Sequence, residues 1–203
     1  MKKLSHDTLQ RYLYDLEGAY YYKDGRKYAQ SVHGRNYSRL AKAREQARLQ
    51  PIPVEEVVDL IVMFLEGIGI DTTPLEIPST TISRGIDYKA IAAKHQLEDA
   101  RDLVWIKIAS NGTVGVVATS ADLNLQLPSH SSEYDARTPN NGWQYNTAGI
   151  IVHSLGLSWL PFAIVFPLPH IPEGYTRHEI EHAVGNYLIE KHVPLLDYYS
   201  HCY

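Results

Sequence analysis

Two β-rich runs, 103–109 and 113–119, flank Ser110-Asn111-Gly112, and this arrangement narrows the fold more than any other part of the chain. Asn-Gly between such runs is the strongest short-range signal for a type I′ turn, because both residues accept positive φ. The runs are therefore predicted to pair as an antiparallel hairpin. Beyond them Leu123, Leu125 and Leu127 alternate with Asn124 and Gln126, which predicts a third strand with one wet face. A chain of 203 residues has room for a single core, or for one core with an arm.

Helical signals surround this sheet. Ser5 or Asp7 can cap a first helix running to about Gly18, and 38–49 predicts a second that ends before Pro51. Pro51 and Pro53 mark the boundary between an N-terminal arm, 1–50, and a body, 51–203. The stretch 54–66 is apolar nearly all round and predicts a helix at the centre of the core. Asp87 can cap a short helix through Lys94. Further on, 160–166 reads as a buried strand, 177–191 as a helix and 195–199 as a closing strand. The expected fold class is α+β: a mixed or antiparallel sheet with helices mainly on one face, preceded by a helical basic arm.

No charged residue occurs between Pro139 and Pro172, and Ala148 to Leu168 is largely apolar. Gly156, Pro161 and Pro167 interrupt this stretch, and His153, Ser154 and Ser158 are polar, so it reads as two short core elements and not as a membrane span. The run after Met1-Lys2-Lys3 lacks the apolar segment of a secretory signal. Cys202, the lone cysteine, cannot close an internal disulfide, and a cytoplasmic location is expected. The polar stretch 128–147 is too long for a simple connection and reads as a lid over a substrate or as a plain disordered excursion.

The net charge of −4 is unevenly shared. Residues 1–50 carry eleven Lys and Arg against five acids, a net +6, and the remainder carries −10. Seven of the 15 tyrosines lie in the same fifty residues. Cations neutralise phosphates and release counterions while flat rings stack on bases, so this mixture suits nucleic acid. The candidate contacts are Arg11, Lys23, Arg26, Lys27, Arg35, Arg39, Lys42, Arg44 and Arg48 with Tyr20, Tyr21 and Tyr22. The alternative is that the arm lies across its own body, a protein partner or a second copy of the chain. Leu9, Leu13, Leu16 and Tyr20 share one helical stripe, which suits such docking.

One short motif carries different chemistry. His178-Glu179-Ile180-Glu181-His182 matches H-E-x-x-H, in which two imidazoles one helical turn apart grip a metal and the Glu next to the first acts as general base on bound water. Zinc or manganese would be the metal. His201 is the first candidate for the third ligand, ahead of Cys202 and Asp197: an extended return from Pro194 covers about 23 Å at ~3.3 Å per residue, enough to bring His201 level with His178 and His182. Such a site would make the chain a metal-assisted hydrolase, a nuclease or a peptidase. Against this, Thr176 and Glu179 form a capping box, which accounts for Glu179 locally, and Leu188 stands where the extended zinc-peptidase pattern has its third histidine. His178, His182 and Gly185 share a stripe opposite Ile180, Val184 and Leu188, so the helix is expected to be covered on two sides, with Gly185 admitting a close neighbour. Phosphate-binding loops, nucleophile elbows and paired C-x-x-C motifs are absent from the chain. The functional expectation is a nucleic-acid-associated binding protein acting through the arm; the hydrolase and a non-catalytic protein-interaction factor are the alternatives.

Overall fold

A computed structural model describes residues 9, 42–79, 87–123 and 147–198. The predicted hairpin is its centre. Strand β2 (Leu103–Ala109) pairs antiparallel with strand β3 (Val114–Ser120) in the register Leu103↔Ser120 to Ile106↔Val117. The turn is not type I′, which requires positive φ at two successive residues; Gly112 alone has it, at +85°. Gly112 N–H instead donates to Ala109 O at 2.8 Å and Ala109 N–H to Thr113 O at 2.9 Å, the pattern of a type I turn closed by a glycine bulge. Asn111 uses its side chain to accept Thr113 N–H at 3.2 Å. That local bond gives asparagine a role in the turn without left-handed backbone.

Strand β1 (Leu75–Pro78) and strand β4 (Trp159–Pro167) complete an antiparallel sheet in the order β1-β4-β2-β3. Every residue of β2 and β3 is buried, which means that both faces of the sheet are covered. Alternation along the strands divides the interior in two. Val104, Ile106, Ile108, Val117, Ile164 and Phe166 face helix α1 (Val54–Gly67) and helix α4 (Arg177–Glu190). Leu103, Trp105, Val116, Ala118, Ala163 and Val165 face the shorter helices α2 (Tyr88–Lys94) and α3 (Thr147–Ser154). The two long helices thus lie on one face, and the fold is α+β.

Helix α1 flanks the core and does not occupy its centre. Val57, Ile61, Phe64 and Leu65 are buried, whereas Val58, Leu60 and Val62 are half-buried and Met63 is 54% exposed. A helix laid on one sheet presents it a single stripe, so the remaining apolar side chains stay at the margin. Asp87 caps α2 as expected, accepting the N–H of Ala90 at 3.0 Å. The charge-free stretch divides into α3 and β4, and among the described residues no helix is long and apolar enough to cross a membrane. The predicted closing strand is reduced to two isolated parallel bridges outside β3, Leu195 with Val114 and Tyr198 with Val117. The expected strand at 123–127 lies outside the described residues after Leu123, as does most of 128–147.

Among the described residues of the first fifty, two enter the interior. Leu9 is buried among the residues of α1 and α4, and Ala43, in a helical turn at 42–46, is buried with the opposite group. The rest of the predicted first helix lies outside the described residues.

Candidate functional site

Helix α4 begins as its sequence dictates. Thr176 is the N-cap: its hydroxyl accepts Glu179 N–H at 3.4 Å, and Glu179 Oε2 accepts Thr176 N–H at 2.8 Å. Arg177, in the first turn, pairs with Asp102 beside the start of β2 at 3.2 Å and so ties the helix to the sheet. From there the helix is covered on two sides. Ile180, Ala183, Val184, Tyr187 and Leu188 enter the core, while Gly185 faces the C-terminal segment. The close neighbour that Gly185 admits is the ring of Tyr198, which any Cβ at 185 would overlap. The Tyr198 hydroxyl donates to Asn186 Oδ1.

Within the His178–His182 pentapeptide the two carboxylates are in opposite situations. Glu179 is half-exposed, and its carboxylate serves the cap. Glu181 is fully buried, with Oε2 3.8 Å from His178 Nδ1. The motif thus also reads in reverse as His178-x-x-Glu181-His182, and only packing separates the two readings. The His182 ring lies 5.9 Å from the Tyr198 ring, and desolvation pushes its pKa down to about 4, so at neutral pH it is an uncharged imidazole. Asp197, fully buried in the neighbouring segment, is held well above the usual carboxylate range by the same loss of solvent, opposed by a bond from the Tyr198 backbone.

Metal binding needs more donors than these residues bring together. Among the described residues no group of three His, Cys, Asp or Glu is placed to hold an ion. His201 and Cys202 lie outside the described residues.

The candidate nucleic-acid contacts divide in the same way. Arg11, Lys23, Arg26, Lys27, Arg35 and Arg39, with Tyr20, Tyr21 and Tyr22, are outside the described residues; Lys42, Arg44 and Arg48 are within them. Ala43 is fully buried and Gln46 Oε1 accepts the N–H of Leu195 at 3.3 Å, so the turn that carries these cations is fastened to the body. Lys42 is half-buried. Arg44 and Arg48 are exposed, and the ion pairs found among the described residues involve neither. Leu49 beside them is 49% exposed.

Lys107 was not foreseen. It is fully buried in β2, with its ammonium 4.8 Å from the centre of the Trp159 ring. A cation over an indole face is a stable arrangement for an ammonium in the interior. A lysine inside an apolar strand is the only signal the sequence offers for it. No family model, curated protein or solved structure matches this chain.

Proposed function

We propose that the chain is a nucleic-acid-associated binding protein and that its cationic N-terminal region supplies the contact surface. The observation that carries this reading is the presentation of Arg44 and Arg48: both are exposed on a turn fastened through Ala43 and Gln46, and the ion pairs of the described body do not reach them. Cations held this way need little ordering when a phosphate arrives, and each phosphate neutralised releases condensed counterions. Fluorescence anisotropy with single-stranded and duplex oligonucleotides at two salt concentrations tests it. Replacing both residues in Arg44→Ala/Arg48→Ala is expected to weaken binding across all sequences and to lower the salt slope by about 2, one for each phosphate no longer neutralised. Absence of binding at low salt, or binding indifferent to salt, refutes the reading.

A second reading, a metal-assisted hydrolase, is favoured by the neutral His182 and by the buried Glu181 beside His178. It requires zinc or manganese with a further ligand, for which His201 is the candidate. Stoichiometric metal in the purified protein, absent from His178→Ala and His182→Ala, is its expected signature. Metal-free protein, together with His178→Ala and His182→Ala that behave as wild type, excludes it.

A further inference from the structure

Residues 195–198 join three parts of the chain that are far apart in sequence. Leu195 N–H donates to Gln46 Oε1 at 3.3 Å. Leu196 N–H donates to Val114 O at 2.9 Å, and Val117 N–H donates to Asp197 O at 3.1 Å. Tyr198 lies in the notch at Gly185 with its hydroxyl on Asn186. All four residues are buried, yet the segment meets β3 through two isolated bridges and not through a continuous ladder. Besides these two backbone bonds, its two ends are held by side chains: the ring of Tyr198 seated on α4 and the Gln46 side chain of the arginine turn. Leu196 and Ala43 also belong to the same apolar group, which adds packing to the hydrogen bond.

We propose that 195–198 is a strap that presents the arginine turn, so that the seating of Tyr198 on α4 sets how tightly 42–49 holds an anionic ligand. This rests on the nucleic-acid reading above and adds the element that regulates it. The physical basis is ordering. A turn already fixed at Gln46 loses little freedom when its arginines engage a phosphate, and a turn released from the strap loses more. Coupling of this kind is reciprocal, so a change at either end of the strap must be felt at the other.

Amide hydrogen exchange on the full chain, together with anisotropy using a single-stranded oligonucleotide, tests the strap in two variants. Gly185→Ala forces the Tyr198 ring from its notch and is expected to speed exchange at Ala47, Arg48 and Leu49 as well as at Leu196 and Val117. Gln46→Ala removes one acceptor and little packing. It is expected to speed exchange at Leu196 and Val117 roughly five-fold, the loss of one ordinary hydrogen bond, and to weaken oligonucleotide binding by a similar factor. Changes confined to 183–187 and 195–198 in the first variant, or to 43–49 in the second, overturn the proposal; if Gly185→Ala does not fold, Gln46→Ala decides alone. Wild-type protein that binds no oligonucleotide at low salt overturns the functional reading and this proposal with it. Wild type that binds, with folded variants binding as tightly, overturns the strap alone.

Discussion

Acidification probes the crevice between α4 and the C-terminal segment directly, because His182 is held there as a neutral imidazole. Its pKa is pushed from the ordinary 6.5 to about 4 by loss of solvent. The unfolded chain takes up a proton near pH 6.5 that the folded chain refuses until about pH 4, so this contribution to stability is complete above 6.5 and is lost as pH falls through that window. Each pH unit of displacement is worth about 1.4 kcal/mol, so a fully desolvated ring would lose about 3 kcal/mol. The His182 side chain keeps some exposure to solvent, which brings the expected loss nearer 2 kcal/mol. Asp197 acts in the opposite sense. Its raised pKa favours the folded state at low pH and disfavours it as pH rises above the ordinary 3.8, so wild-type stability alone mixes the two effects. Urea unfolding between pH 7.5 and 4.5, in wild type and in His182→Gln, separates them. The stability difference between the two proteins is expected to shift by about 2 kcal/mol over that range, with the variant losing less on acidification. Parallel curves, or an NMR titration of His182 centred near 6.5, would refute the assignment of a desolvated ring.

Two further substitutions test the packing that positions the site. Thr176→Ala removes the capping box of α4 and is expected to cost about 1 kcal/mol in urea unfolding, while Thr176→Ser keeps most of it; equal stabilities would show that the cap contributes nothing. Gly115→Ala places a methyl group in the space filled by the Trp159 ring at the β3 bulge, with an expected cost of about 1–3 kcal/mol and a change in tryptophan fluorescence; a neutral effect would mean that the ring is free to move aside.

The strands flanking Asn111-Gly112, the caps at Asp87 and Thr176, the division of the charge-free stretch and the two-sided cover of α4 were all legible in the chain, because each rests on bonds or periodicities that span a few residues. The candidate site was legible only in part. Glu179 and Glu181 lie two positions apart in one pentapeptide, and local chemistry accounts for Glu179 through Thr176 but has nothing to say about Glu181. Its complete burial is set by packing, as the cation–π position of Lys107 is set by Trp159 on another strand.

The amino-acid order by itself determined the hairpin strands around Asn111-Gly112, strand β4 and helices α1, α2 and α4, and that fifty residues rich in positive charge precede an acidic remainder, but it did not announce β1. Tertiary structure alone decided which stripe of α1 is covered, which carboxylate of the pentapeptide loses its water, and that Tyr198 settles on Gly185 while Gln46 holds Leu195. The reason is one of range: hydrogen bonds and apolar spacing within a turn act between near neighbours, whereas desolvation is set by whatever the completed fold lays on top of a side chain, often from more than a hundred residues away.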